Sequence, residues 1–474
     1  MKNTDMKLIE AKKEAYKYQY IDMRFIKKIL FIFAVMSLLF LSFYQYDFEF
    51  KSVVMLPIAY MVSVVAFIKN DYGCGLGRLI LILAYAFRMC LLPVLCAYGN
   101  FWIEPSKDLY IQYFFGAIVL MVCENFFVFT CISYFSKKYD YQFTKEQNSI
   151  NYEEKESILI FVLIIVVISV CILFVTNREF KNYYNLILVS DSSKVESMAS
   201  SLQTYGAKYY ILVLLDILFR PVFSFYFINK FVNRKDKLGV ILALMVALLN
   251  ILIMTDRRII SVLIGFVCFM EVMYYIKKEL IKKILYIFMG IGIIGIIFFC
   301  FSSDMFIPSL VARKFQRYFS GPTLTAIGIN ILINDTPSIL DFFKLLFNDS
   351  IVLTGIFGNF TVKPYVQELC GAAGYSLWTP MIIGLFQYFK IFAPVILALI
   401  VKYVIRNDYV SKKSSGIKRI IIDYLSVNIA VYMVMYSIEL VIYNIIFIGG
   451  FFYLLFYIDK KYSIIIKWGN GDGL

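Results

Sequence analysis

The chain has 474 residues, of which 61% are hydrophobic, and it carries a formal net charge of +14 without a single histidine. Because a soluble domain is about half apolar, this composition excludes a water-soluble class and predicts an all-α, polytopic integral membrane protein. The lack of histidine excludes His-activated Ser or Cys nucleophiles, His-ligated metals and His general bases.

Apolar stretches of about 20 residues, long enough to cross a bilayer, recur along the whole chain. Lys390 and Pro394 interrupt one of them, which predicts a broken helix there or an interfacial segment from Trp378 to Tyr388. About twelve transmembrane helices are expected, at 26–43, 51–68, 79–98, 110–135, 158–175, 209–229, 238–255, 259–276, 284–301, 381–401, 420–436 and 438–457.

The distribution of cations predicts the orientation of these spans. Most of the 47 Lys and Arg residues fall in segments that lie on one side if the N-terminus is inside, as the positive-inside rule requires. Both termini are therefore expected in the cytoplasm, and the charge gives no reason to expect nucleic acid as a partner. The resulting division comprises a cytoplasmic segment 1–25, nine spans within 26–301 with an outer loop 176–208, a large extracytoplasmic loop 302–374, three spans within 375–457 and a cytoplasmic tail 458–474.

The loop 302–374 is the long polar interval of the second half, and we expect recognition or chemistry there. Thr336 and Pro337 fit an N-cap followed by proline at the first helical position. The helix that follows has an apolar face and a polar face, which predicts an interfacial helix on the outer leaflet. The apolar run Thr323–Leu332 is too short to span and is expected to dip into the protein or the headgroup layer.

Cations near the outer face form two groups. Arg257 and Arg258 occupy the turn between the seventh and eighth spans, where they oppose the helix dipole and favour an anion. Arg313 and Arg317 are four residues apart, so on a helix they share a face and offer two guanidinium forks to a diphosphate. Contact with phospholipid headgroups is the alternative for both groups.

Ionisable residues also occur inside the predicted spans. Arg88, Glu124, Asp216 and Arg220 are costly at that depth and normally face a wet cavity or a partner. Asp216 and Arg220 have the i, i+4 spacing of a mutually neutralising pair. Arg88 and Glu124 have the charges for a pair across two helices. Glu439 lies near the outer end of the last span.

Several of these features resemble the bacterial polysaccharide repeat-unit polymerases of O-antigen and capsule synthesis (Wzy-type). The resemblance rests on the number of spans, the large outer loop before the last three spans, and short local patterns. These patterns are Thr255–Arg258, Arg317–Pro322 with an Arg-X10-Gly spacing to Gly328, and Gly358–Thr361 followed by Tyr365 and Gly371–Gly374. Leu369 stands where the family usually has a carboxylate, and Glu368 lies one residue earlier.

The resemblance implies an inverting, metal-independent glycosyltransferase without a cofactor, in the bacterial plasma membrane. Such an enzyme transfers a glycan from undecaprenyl diphosphate to a new lipid-linked repeat unit, with a flippase and a chain-length regulator as partners. Positive charge would stabilise the diphosphate leaving group, which assigns Arg257, Arg258, Arg313 and Arg317 to diphosphate binding. A carboxylate must serve as the base because histidine is absent. The candidates are Glu368, Asp341, Glu439 and then Asp304.

The glycan or acceptor is expected to bind at Tyr318, Asn359, Lys363 and Tyr365. Two other functions remain open. A flippase of the lipid-linked repeat unit has a similar number of spans, although it would be expected to show two similar halves and short outer loops. A transferase like the O-antigen ligases shares the donor chemistry, although that family typically uses a histidine in its large loop.

Overall fold

The computed structural model describes fifteen stretches of the chain, and the structural statements below refer to them. Their bounds are 23–44, 47–68, 75–101, 110–146, 185–186, 215–234, 236–254, 258–275, 309, 311–312, 315–316, 319–334, 338–349, 380–414 and 416–461.

These residues form helices, apart from turns and one short antiparallel pairing. The helices of the first part are α1 (Met23–Phe43), α2 (Met55–Phe67, preceded by a 3-10 turn Phe48–Val54), α3 (Leu76–Ala86), α4 (Leu92–Tyr98, joined to α3 by a π-helical turn Phe87–Leu91) and α5 (Phe114–Glu146, preceded by a 3-10 turn Ile111–Tyr113). Those of the middle part are α6 (Arg220–Asn233, preceded by a π-helical turn Leu215–Phe219), α7 (Lys237–Leu252) and α8 (Arg258–Tyr275).

The second half of the described chain supplies the remaining helices. They are α9 (Pro322–Asn334), α10 (Ile339–Asp349), α11 (Met381–Phe389), α12 (Ala393–Lys412, joined to α11 by a 3-10 turn Lys390–Phe392), α13 (Gly416–Met435), α14 (Ile438–Tyr443) and α15 (Gly450–Lys461, joined to α14 by a π-helical turn Asn444–Gly449). Two-residue strands β1 (Asn185–Leu186) and β2 (Ile253–Met254) pair antiparallel.

Six of these helical stretches are long and apolar enough to cross a bilayer. They are Arg24–Phe43, Phe48–Phe67, Leu76–Tyr98, Ile111–Tyr139, Met381–Lys412 and Ile438–Ile458. Each contains or overlaps one of the predicted spans, and α7 and α8 are shorter apolar helices at the positions of the seventh and eighth. The helical class is therefore confirmed for the described residues, and six stretches have the length and composition of membrane spans. The spans 158–175 and 284–301 lie outside the described residues, so the number twelve stays a prediction.

The break predicted in the tenth span is confirmed. Lys390 has φ 47°, a left-handed conformation that ends α11 and that a residue with a side chain adopts at a cost. Pro394 then occupies the first turn of α12, where its missing N–H is not needed. The 32-residue stretch Met381–Lys412 therefore consists of two helices, α11 and α12, joined by the 3-10 turn Lys390–Phe392.

One end of the bundle is closed by Asp408, and we call it the Asp408 end. The carboxylate of Asp408, in α12, accepts hydrogen bonds from the backbone amides of Gly77 (3.0 Å) and Arg78 (2.7 Å) at the start of α3. Ser426 of α13 donates to the same carboxylate (2.9 Å). An N-cap oxygen normally comes from the residue next to the helix; here it comes from a different span and fixes α3 against α12.

A salt bridge closes the same end between α8 and α13. Arg419, near the start of α13, bonds Glu271, near the end of α8. Both residues are mostly buried. The connection shows that α8 ends, and α7 consequently begins, at the Asp408 end.

The opposite end is built on aromatic packing, and we call it the Asn100 end. Tyr44 after α1 donates to the Asn100 side chain after α4 (2.6 Å). Phe101 stacks on Phe50, with ring centroids 4.3 Å apart, and both pack against Phe114 at the start of α5. The charge distribution predicts that this end faces outward.

Helix α9 does not run through the bundle from one end to the other, and its N-terminal part is buried inside the bundle. The residues from Ser320 to Gly328 are buried, and α9 packs against α5 and α11. Ile383 of α11 lies so close to Gly328 that an added Cβ would stand 2.8 Å from its side chain. The expectation that this apolar run dips into the protein is confirmed, and a segment of the predicted outer loop is therefore part of the buried core of the bundle.

Candidate functional site

A buried ion pair joins α5 to the π-helical turn between α3 and α4. Arg88 Nη1 lies 2.7 Å from Glu124 Oε1, and both residues are 2% exposed. Tyr85 OH donates to the same Glu124 oxygen (2.7 Å). The predicted pairing of Arg88 with Glu124 is thus present, near the middle of the helical stretch Leu76–Tyr98.

The π-helical turn places Arg88 where it reaches a third element. Its Nε donates to the backbone carbonyl of Ser320 (3.2 Å), just before α9 begins. A π-helical turn inserts an extra residue and redirects the side chains that follow, and such turns are frequent at functional sites. The ion pair therefore connects the start of α9 to the middle of the bundle.

The turn at Ser320 is held in a strained conformation. Ser320 has φ 48°, which a residue with a side chain rarely adopts. Before it, Phe319 packs on Phe87 with ring centroids 4.2 Å apart, and Phe315 packs on the same ring at 5.5 Å. Strain of this kind persists only where surrounding contacts enforce it, and it is concentrated at functional sites.

A second cation, Arg220, is partly buried between the start of α6, the end of α7 and the start of α8. Arg220 Nε and Nη2 donate to the side chain and the backbone carbonyl of Asn250 (both 3.0 Å), and Nη1 donates to Ser261 Oγ (2.7 Å). Asn250 is further held by Ser224. These hydrogen bonds hold the Arg220 guanidinium beside the start of α8, where Ser261 stands three residues after Arg258.

The pairing of strands β1 and β2 brings part of the smaller predicted outer loop next to the end of α7. Asn185 and Leu186 belong to the loop 176–208, and they pair with Met254 and Ile253, which directly follow α7. The predicted diphosphate turn Thr255–Arg258 begins at the next residue. The pairing thereby joins the predicted outer loop 176–208 to the last residues of the predicted seventh span, 238–255.

Glu439 lies in a third place, under the amphipathic helix α10. It is 4% exposed and accepts hydrogen bonds from Ser437 and Tyr388. Phe342 of α10 packs on Tyr388, with ring centroids 5.4 Å apart, and α10 packs against α14, which carries Glu439. A buried carboxylate thus lies beneath a helix of the predicted outer loop.

The bounds of α10 correct one prediction. The helix begins at Ile339 and not at Pro337, because Ser338 and Asp341 form a reciprocal cap. Asp341 Oδ2 accepts from the Ser338 amide (3.0 Å) and hydroxyl (2.9 Å), and the Asp341 amide donates to Ser338 Oγ (3.4 Å). The hydrogen bond from the Ser338 backbone holds the pKa of Asp341 below its usual range, and the Ser338 hydroxyl and Lys344 act in the same direction.

Only some of the apolar residues of α10 are buried in the protein. Phe342 and Leu346 are the residues that bury themselves in the protein. Ile339, Leu340 and Phe343, predicted on the apolar face, are 52%, 60% and 49% exposed. Apolar side chains exposed on this scale fit contact with lipid, which agrees with an interfacial helix.

Other predicted site residues lie outside the described part of the chain. They are Arg257, Asp304, Arg313, Arg317, Tyr318, Asn359, Lys363, Tyr365 and Glu368. The backbones of Asp216 and Arg258 are described but their side chains are not, so the predicted pairing of Asp216 with Arg220 stays a prediction.

The structure adds residues that the pattern did not single out. Asn250 and Ser261 hold Arg220, and Gln316 and Thr323 flank the Ser320 turn, both at 0% exposure. The signal for Asn250 is a lone amide in the apolar run of α7, where an unpartnered polar group is costly. Gln316 gave no such signal because it lies in the polar part of the predicted loop, and Thr323 gave none because it opens a short apolar run that was not expected to contact Arg88.

Among the described residues, no group of three or more His, Cys, Asp or Glu side chains has the geometry of a metal site. Comparisons of the chain with family models, with curated proteins and with solved structures found no match.

Proposed function

We propose that the chain polymerises oligosaccharide repeat units carried on undecaprenyl diphosphate, at the outer face of the bacterial plasma membrane. The observation that supports this most is the Ser320 turn, which leaves the predicted outer loop and contacts Arg88 inside the bundle. A substrate that is lipid at one end and glycan at the other needs a site open to both environments. A loop that enters the membrane-embedded core provides walls for such a site.

The reaction makes two chemical demands on the outer half of the protein. A hydroxyl of the acceptor sugar attacks the anomeric carbon of the donor, the bond from that carbon to the diphosphate oxygen breaks, and the diphosphate leaves with the electron pair. The hydroxyl proton passes to a carboxylate. Arg220 is a partly buried guanidinium beside the end of α7, after which the diphosphate turn with Arg257 and Arg258 begins, and we propose these cations as the groups that stabilise the leaving anion.

Glu439 is the described carboxylate that best suits the base. It is buried beneath α10, and its hydrogen bonds with Ser437 and Tyr388 fix its orientation. Asp341 is occupied as a helix cap. Glu368 remains the other candidate, in the part of the loop outside the described residues.

Transport of the lipid-linked repeat unit is the second candidate function. The buried pair Arg88–Glu124 favours it, because ionisable groups at mid-depth commonly mark substrate or proton pathways. The burial of α9 and of the Ser320 turn favours the polymerase, since a transporter of this kind needs no outer loop packed into its core.

The test uses purified lipid-diphosphate-linked repeat units with the wild type and Arg317→Ala, in detergent with a chelator present. We expect a ladder of longer glycans from the wild type and a loss of at least about 100-fold in the variant, as for removal of a group that stabilises developing charge. Arg234→Ala is the matched control, because Arg234 is an exposed arginine at the Asp408 end and its loss should leave the ladder intact. Movement of substrate across sealed vesicles without any ladder would establish transport instead.

A further inference from the structure

The contact between the Ser320 turn and the ion pair contains buried polar atoms without hydrogen-bond partners. They belong to four residues of the described chain and are Arg88 Nη2, Glu124 Oε2, Gln316 Oε1 and Nε2, and Thr323 Oγ1. Each of these residues is at most 2% exposed. A buried polar atom left without a partner costs about 1–3 kcal/mol, so five in one contact indicate a ligand or water that satisfies them.

These residues lie around one turn of chain. Arg88 contacts Ser320 directly. Gln316 lies over Gly321, where an added Cβ would stand 3.1 Å from Gln316 Oε1 and 3.1 Å from the Leu92 side chain, one turn beyond Arg88. Thr323 follows two residues later, at the start of α9. The four residues with unsatisfied atoms are therefore close together in the fold.

The chemistry of these atoms selects the kind of group that fits them. Arg88 Nη2 and Gln316 Nε2 donate, Glu124 Oε2 and Gln316 Oε1 accept, and the Thr323 hydroxyl does both. An anion would face the unsatisfied carboxylate oxygen, and a cation would face the guanidinium. A neutral group that both donates and accepts is favoured, which is the property of a hydroxyl.

Aromatic rings beside the polar atoms narrow the choice further. Phe87, Phe315 and Phe319 pack together on the same turn. Binding sites for small organic molecules combine such apolar surface with a few placed polar groups. Several hydroxyls on a ring with an apolar face match this combination better than separate water molecules do.

We propose that Arg88, Glu124, Gln316 and Thr323 form a binding site for the hydroxyl groups of a sugar. The proposal rests on the proposed function in that the sugar is part of the lipid-linked glycan. All four residues are buried in this structure, so the packing around Ser320 has to open for a sugar to enter.

The test exploits a contrast between stability and binding. In Gln316→Leu and Thr323→Val an apolar side chain of similar size replaces an unsatisfied polar group, so thermal stability without ligand should stay unchanged or rise. Ser136→Ala is the matched control, since Ser136 Oγ is also buried and unpartnered on α5, away from this turn. All four proteins are purified as the full chain in a detergent without a sugar headgroup.

The probe is a panel of methyl glycosides of common hexoses and N-acetylhexosamines, and the readout is the shift of the unfolding temperature with concentration. We expect at least one glycoside to stabilise the wild type and Ser136→Ala. Gln316→Leu and Thr323→Val should each bind it about tenfold more weakly, the effect of one lost hydrogen bond.

The proposal is overturned if no glycoside stabilises the wild type, or if Gln316→Leu responds like the wild type. Stabilisation by the apolar variants without any glycoside response would assign the unsatisfied atoms to water. Glycan polymerisation is measured on the same proteins. Glycoside binding without a ladder keeps the sugar site and refutes the polymerase, whereas a ladder unchanged in Gln316→Leu keeps the polymerase and refutes the site.

Discussion

At the scale of single residues, the Arg88–Glu124 pair is the most consequential feature of the core. Removing one partner of a buried pair leaves an uncompensated charge, whereas replacing both by apolar residues is often neutral. Glu124→Leu should therefore destabilise the protein by about 3–5 kcal/mol. The double variant Arg88→Met with Glu124→Leu should recover most of that loss.

The measurement is thermal or denaturant unfolding of the purified protein, and equal destabilisation of the single and double variants would show that the pair contributes more than charge compensation. The double variant also separates stability from function. It should be folded but unable to bind glycosides, because Arg88 Nη2 and Glu124 Oε2 are both lost.

The cap of α10 gives a pH dependence at a single residue. The folded-state pKa of Asp341 is lowered, so its contribution is complete above the unfolded pKa of about 3.9 and is lost as the pH falls through the lower folded value. The N-terminal turn of α10 should therefore keep its protection from amide exchange down to about pH 4 and lose it below. Asp341→Asn should show weaker protection with no such step; a step retained in that variant would assign it to another group.

At the scale of elements, the packing of α3 on α12 and α13 depends on a glycine. A Cβ added at Gly77 would overlap the Ser426 side chain and lie 2.9 Å from Asp408 Oδ1. Gly77→Ala should consequently separate the helices and break the Asp408 hydrogen bonds, at a cost of about 3 kcal/mol or more.

Gly450 is the matched control, because nothing lies within 4 Å of a Cβ added there. Gly450→Ala should be neutral or slightly stabilising, since alanine is the better helix former by about 1 kcal/mol. Yield of monodisperse protein and the unfolding temperature distinguish the two variants. Similar behaviour of both would mean that the close approach at Gly77 relaxes without loss.

The elements also show what the sequence predicts and what it does not. The length of the apolar stretches predicts the positions of the spans, and Lys390 with Pro394 predicts the break between α11 and α12. Both predictions succeed because they depend on local sequence. The start of α10 was misplaced by two residues, since Thr336-Pro337 and Ser338 are competing caps and Asp341 decides between them. The partners of Arg220 and the contact of Ser320 with Arg88 join distant parts of the chain, which no local pattern encodes.

At the scale of the whole molecule, the two ends of the bundle predict accessibility. Glu49 is an exposed residue near the Asn100 end, and Lys237 is an exposed residue at the start of α7, at the Asp408 end. With the orientation predicted from the cations, Glu49→Cys should react with a membrane-impermeant maleimide in intact cells. Lys237→Cys should react only after permeabilisation. Labelling is compared with the parent chain, which has nine cysteines of its own; the reverse pattern would invert the topology.

The Asp408 hydrogen bonds also bear on how the protein is made. The amide of Gly77 finds its acceptor 331 residues later in the chain. While the ribosome is still translating the middle of the protein, the carboxylate that accepts from the amides of Gly77 and Arg78 has therefore not yet been made. A chain truncated before α12 never supplies the missing carboxylate. Formation of α12 is therefore also the step that secures the start of α3.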